Sequence, residues 1–218
     1  MTDANLTHLY FLLDRSGSMQ TIKSDTEGGF AAFIEQQRTA AGACRVTLAQ
    51  FDDSYEVVYA DRDLAQVPVL DLQPRGMTAL LDSLGRLITE SGARLAALPE
   101  PARPGTVVVA IMTDGMENAS HEWTHPAIKA LIEQQEQDYG WEFLYLGADQ
   151  DAIEVGASIG IAPANSLTYA RSNVSDAMAA ASVMVDDLRT ARRSSPTAKL
   201  RGYTSAEREA AGGRKRRA

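Results

Sequence analysis

Hydrophobic positions along the chain fall into two alternating patterns. Leu9–Leu13, Val107–Met112 and most of 141–146 are continuous apolar runs, the pattern of strands buried on both faces. They predict strands over Thr7–Leu13, Thr106–Met112 and Trp141–Leu146. Val46, Leu48 and Phe51 mark a further strand over Cys44–Phe51; Asp52-Asp53-Ser54 reads as a turn and Tyr55–Tyr59 as a short strand returning antiparallel. Between the strands the spacing turns helical. Phe30, Phe33, Ile34 and Gln37 share one face, although Gly28-Gly29 weakens its early part. Leu80, Leu81, Leu84, Leu87 and Ile88 share a second, and Ile128, Leu131 and Ile132 a third, in a helix from about Pro126 to Gln137. A short helix over Asp151–Ile159 and a long one over Val174–Arg192, with Met178, Ala181, Val185 and Leu188 on one side, complete the series. Leu64–Pro74 and the segment with Pro99, Pro101 and Pro104 read as loops. The alternation predicts an α/β fold: a doubly wound, mostly parallel sheet with one short antiparallel edge strand and helices on both faces.

Polar residues gather where the buried strands end. Asp14, Ser16 and Ser18 leave the first strand at positions i, i+2 and i+4. Thr78, within Gly76-Met77-Thr78-Ala79-Leu80, opens a helix, and Asp114 closes the Val107–Met112 run just before Gly115. Open α/β sheets bind ligands at the carboxyl ends of their strands. These donors are all oxygens with few formal charges, a set that suits a hard divalent cation such as Mg²⁺.

In order and separation, Asp14-x-Ser16-x-Ser18, Thr78 and Asp114 resemble the metal-ion-dependent adhesion site of von Willebrand factor A domains, a resemblance spanning roughly residues 5–190. It implies a Rossmann-like sheet and a site for Mg²⁺ (or Mn²⁺) in which Ser16 and Ser18 bind directly and Asp14 acts through water. By the same resemblance, Asp114 binds directly or through water, and Thr78 binds directly when a ligand is engaged. Arg15 and Met19 would flank the ion, and Glu117 and Asn118 either line the rim or serve the turn. Neutral hydroxyl ligands leave a cation electron-poor, so the implied function is a protein-binding module that docks a partner's Asp or Glu through the metal, with no catalytic residues. Compact prokaryotic stand-alone members suggest an AAA+ ATPase or a stress-system protein as partner, on analogy alone.

Other chemistries fit less well. A haloacid-dehalogenase-like phosphohydrolase also has an Asp after its first strand and uses Mg²⁺, but its second motif acid is replaced here by Ser16. His121-Glu122-Trp123-Thr124-His125 spells a zincin signature, yet Pro126 follows directly and fits the start of a helix better than its interior. No phosphate-binding glycine loop is present, and neither serine has a partner histidine for nucleophilic catalysis. Asp52-Asp53 reads as a solvated hairpin turn and Arg15 as a solvated arginine.

Composition sets the remaining bounds. A chain of 218 residues suits one domain with a full core. The lone cysteine, Cys44, is expected to be a buried, inert thiol. Met1–Asn5 lacks the basic and apolar regions of a signal peptide, and no run approaches the length of a membrane span; a soluble, cytoplasmic protein is expected. The net charge of −8 is unevenly spread: residues 189–218 hold ten Lys/Arg and two Glu, against eleven and twenty-seven acidic residues before them. The acidic body argues against nucleic-acid binding. The expected division is a domain over 1–192 and a basic, flexible tail over 193–218, which either stays solvated, folds back on the body or reaches an anionic partner.

Overall fold

A computed structural model describes residues 2–212. Six strands, β1 (Asp3–Asp14), β2 (Ala43–Phe51), β3 (Tyr55–Asp63), β4 (Pro104–Thr113), β5 (Glu142–Ala148) and β6 (Ser166–Tyr169), form one sheet in the order β3-β2-β1-β4-β5-β6. All neighbours run parallel except β3, which pairs antiparallel with β2 at the edge. The expected fold class is therefore the observed one. The helices are α1 (Lys23–Thr39), α2 (Leu80–Ala97), α3 (His125–Asp138), α4 (Ala152–Ser158), α5 (Val174–Ser194) and α6 (Ser205–Ala210).

Side-chain alternation in β1 divides the core in two. Leu9, Phe11 and Leu13 face α1 and α5, where Phe11 meets Phe30 and Phe33 edge-on, each at a centroid distance of 5.0 Å. Tyr10 and Leu12 face α2 and α3 with Leu84, Ile88, Ile128 and Ile132. Leu12, fully buried, pairs with Ala49 on one side and Ile111 on the other, so β1 is the centre of both cores. Because β1 lies between β2 and β4, the chain winds outward in both directions from it. Open α/β sheets place their ligand sites at such a switch point, here beyond the carboxyl ends of β1 and β4.

Several elements depart from expectation. β3 extends to Asp63, because an edge strand with one exposed face needs no apolar alternation. β6 is an additional strand of four residues. The last helix passes the expected boundary at 192, and residues 195–212 pack against the body instead of forming a flexible tail. Arg192 donates to Glu142 Oε1 at 3.0 Å and to the Gly140 carbonyl at 3.0 Å, and Lys199 pairs with the same Glu142 oxygen at 3.1 Å. Arg201 joins Asp187 and Glu207, while Thr204 and Glu207 form a capping box on α6. Tyr203 and Ala211 are buried. Arg201 pairs with Asp187 of α5, and Arg208 donates to the Pro163, Ala164 and Ser166 carbonyls, so these two arginines of the segment are taken up by the body. Residues 213–218 of the expected tail lie outside the described residues. Among the described residues, no helix is long and apolar enough to cross a membrane.

Candidate metal centre

The site is built by three loops stitched together through their backbones. The Arg15 N–H donates to the Phe51 carbonyl at 2.7 Å, Arg75 N–H to the Arg15 carbonyl at 2.8 Å, and Asn118 N–H to the Thr78 carbonyl at 3.1 Å. Asp14 ends β1 with both carboxylate oxygens engaged. Its Oδ1 accepts the Ser16 N–H at 2.6 Å, which folds the loop, and its Oδ2 accepts the Thr113 hydroxyl at 2.6 Å, which ties β1 to β4. The Ser16 and Ser18 hydroxyls lie 3.1 Å apart, and Ser18 donates to Asp114 Oδ1 at 2.5 Å. Buried Met19 and Ile22 anchor the following 3₁₀ turn (Gly17–Ile22) in the core, so Met19 supports the loop from beneath and does not flank the site.

Thr78 faces Asp14 and Ser18 across Gly115. A Cβ at Gly115 would stand 2.9 Å from Thr78 Oγ1 and 3.7 Å from both Asp14 Oδ2 and Ser18 Oγ. The five expected residues thus converge, and the missing side chain of Gly115 leaves a cradle open among three of their oxygens. Asp114 Oδ2 is buried with no hydrogen-bond partner among the described residues. Two tyrosine hydroxyls, Tyr145 and Tyr169, and Gln150 Oε1 are likewise buried without partners. The ionisation of both tyrosines is opposed first by burial, and then by the Asp14 charge at Tyr145 and by the Asp114 and Asp14 charges at Tyr169.

Electrostatically the cradle brings two buried carboxylates, Asp14 and Asp114, close together, with the Arg171 guanidinium 3.1 Å from Asp114 Oδ2. Burial pushes the Asp14 carboxyl up to about 6, against the opposing pull of hydrogen bonds from Thr113 and Ser16, and the Asp114 charge adds to the rise. Burial also raises Asp114, opposed by the Ser18 hydroxyl and the Arg171 charge. Among the described residues no three His, Cys, Asp or Glu converge as a metal cluster. The donor set is two carboxylates and three hydroxyls, all hard oxygens, which fits Mg²⁺ or Mn²⁺ better than a soft metal.

Around the cradle, several residues differ from the sequence reading. Arg15 is buried, donating to Asp52 Oδ2 at 3.0 Å and to Glu56 Oε2 at 2.6 Å. Arg75 reaches the same Asp52 oxygen at 2.8 Å. Asp52 is fully buried, and although burial pushes its carboxyl up, hydrogen bonds from Ser54 and Arg75 outweigh it and hold the group below the usual range. This pair is a clasp behind the loop, not a solvated turn. Asn118 accepts the Thr78 N–H at 3.0 Å, and Glu117 accepts the Leu81 N–H at 2.9 Å at the start of α2, so both position Thr78. The HExxH segment is a loop leading into α3 at His125, with Pro126 in the first turn; its backbone is pinned to α2 by Asp82, which accepts the N–H groups of His121, Glu122 and Trp123.

Arg171, between β6 and α5, has no counterpart in the sequence reading. Its Nη2 lies 3.1 Å from Asp114 Oδ2, its Nε 3.3 Å from Asp149 Oδ2, and its Nη1 donates to Thr21 Oγ1 at 3.3 Å.

No protein-family model matches the chain, and no curated protein matches it significantly. Similarity emerges from the fold. The proximal thread matrix protein 1 of the mussel byssus, solved with a zinc-occupied MIDAS motif, superposes with a TM-score of 0.58 at 17% identity, over 84% of this chain and 47% of that one. A vWF domain of a type V pili tip protein from Porphyromonas gingivalis gives 0.60 at 12%, over 83% and 95%. The ArnB paralog VWA2 from Sulfolobus acidocaldarius gives 0.56 at 10%, over 81% and 44%. The chain spans about half the length of the mussel and archaeal proteins. The fold is thus that of von Willebrand factor A domains.

Proposed function

We propose that this chain is a metal-dependent protein-binding module whose cation site recruits an acidic group on a partner protein. The observation that carries the reading is the Gly115 cradle: two oxygens from the segment leaving β1 and one from the Thr78 loop face a space that only a residue without a side chain leaves open. Ser16, Ser18 and Thr78 would hold the ion through hydroxyls, with Asp14 and Asp114 supplying negative charge. When bound, Mg²⁺ or Mn²⁺ supplies an electrophilic point for a partner's Asp or Glu carboxylate. The chain's own residues do the rest. Thr113 and the Ser16 N–H fix Asp14, Ser18 orients Asp114, and the Arg15–Asp52 clasp keeps the loop in place.

Neighbouring folds include an adhesive pilus protein and a byssal thread protein, which supports protein interaction as the general role. An AAA+ ATPase or stress-system partner, and action in the cytoplasm, remain part of the proposal on analogy alone. The phosphohydrolase alternative has no acid to protonate a leaving group at Ser16, and the Ser16 hydroxyl is turned to Ser18.

Calorimetric titration of the full chain with Mg²⁺ tests the metal, comparing wild type with Asp14→Ala. Binding by wild type and its loss in a variant that still folds is the expected result. A wild type that binds no divalent ion would sink the reading.

A further inference from the structure

We propose that Arg171 is the resident cation of this site: it holds the free oxygen of Asp114 until a divalent ion displaces it toward Asp149, and so sets how tightly the site takes metal. The inference rests on the metal-site reading above and adds a residue to it. Asp114 has two oxygens. Oδ1 already receives the Ser18 hydroxyl, and Oδ2 faces Arg171 Nη2 at 3.1 Å. An ion that engages Asp114 through Oδ2 must therefore compete with a guanidinium already in contact with it.

Three features suit the arginine to be displaced. First, its contact with Asp114 is a charge contact without hydrogen-bond alignment: Asp114 Oδ2 and Arg171 Nε are both buried and lack a hydrogen-bond partner among the described residues. Such a contact forgoes the strength of an aligned, forked arginine–carboxylate pair. Second, a second seat is in place. Asp149 Oδ2 lies 3.3 Å from Nε, and its side chain is more than half exposed, open to an arriving charge. Third, Asp149 is held at a positive φ of 50°, a left-handed conformation that disfavours a residue with a side chain. Its N–H donates to the Tyr169 carbonyl at 2.9 Å, fixing the carboxylate beside Arg171 despite that strain. The Thr21 hydroxyl accepts from Nη1, so the guanidinium bridges the loops after β1, β4 and β5.

Two substitutions separate displacement from simple repulsion. Arg171→Gln removes the charge; Arg171→Lys keeps it but lacks the planar fork that spans Asp114 and Asp149. In Mg²⁺ titrations of the full chain, Arg171→Gln should bind about five- to tenfold tighter than wild type, the equivalent of one partly exposed ion pair. Arg171→Lys should gain most of the same increase. In wild type, the ¹⁵N signal of Arg171 Nε should shift in step with the calorimetric isotherm. Lysine behaving as wild type would mean that only the field of the charge matters and would overturn the proposal, as would equal or weaker binding in Arg171→Gln, or a silent Nε signal. If neither wild type nor any variant binds Mg²⁺, the metal site and this inference fall together; if wild type binds, Asp14→Ala does not, and the Arg171 variants match wild type, this inference alone falls.

Discussion

Gly115→Ala puts a methyl group where the cation would go. Its carbon would lie 2.9 Å from Thr78 Oγ1, inside normal contact distance, and 3.7 Å from Asp14 Oδ2 and Ser18 Oγ. The backbone at Gly115 is not in the left-handed region, so alanine is sterically permitted there. Overpacking of this kind costs about 1–3 kcal/mol, partly offset by roughly 0.4–1 kcal/mol from a less flexible unfolded chain. The metal-free protein should therefore lose about 1–2 kcal/mol, a fall of roughly 2–8 °C in Tm for a chain of this size. The effect on metal should be much larger, because methyl and ion would stand among the same three oxygens. Wild type at about a hundred times Kd of Mg²⁺ should gain roughly 2.7 kcal/mol, or about 5–11 °C, and the variant should gain nothing. Thermal unfolding with Mg²⁺ and with EDTA measures both quantities. A variant that folds and retains the full Mg²⁺-dependent rise would refute the assignment of the cradle as the ion's seat.

Two further outcomes test the scaffold. Gly85→Ala, in α2, would drive a methyl group into the indole of Trp123; although alanine favours helix by about 1 kcal/mol, overpacking should win and lower stability by about 1–2 kcal/mol in a denaturant titration. An unchanged midpoint would show that the Trp123 loop yields freely. His8 is buried in β1, with Nε2 and Thr47 Oγ1 2.9 Å apart, and burial, followed by the charges of Arg94 and Arg45, lowers it to about 3. The unfolded chain therefore binds a proton below about pH 6.5 that the folded chain refuses, so stability is full above that pH and falls as pH drops toward 3. Relative to His8→Gln, wild type should lose about 2 kcal/mol between pH 7.5 and 5. Parallel stability curves for the two proteins would disprove the linkage.

The central strands and the acids at their ends were legible because a strand buried on both faces writes itself as an unbroken apolar run, and its end is marked where Asp14 or Asp114 interrupts it. β6 was not, since four residues next to Pro163 and paired with β5 alone carry no period. Charged residues misled for a different reason. Sequence shows a charge but not its partner, so Arg15 and Asp52 read as solvated although they are buried against each other. Arg171 is the extreme case: a single cation in a loop, brought to Asp114 only when β6 takes its place at the sheet's edge. In the C-terminal segment the short helix α6 is closed by a capping box between Thr204 and Glu207.

The return of that segment has a practical side. The Ala170 N–H donates to the Ala211 carbonyl at 2.8 Å, and Asn173 donates to the Ala210 carbonyl at 2.8 Å, which brings Gly212 within two residues' reach of Arg171. Asp3 begins β1, about 36 Å of extended strand away from Asp14. A fluorophore, affinity handle or sensor-chip linkage joined at Gly212 would thus stand beside Arg171 and the proposed metal site. The same attachment ahead of Asp3, at the opposite end of β1, would leave the proposed site unencumbered.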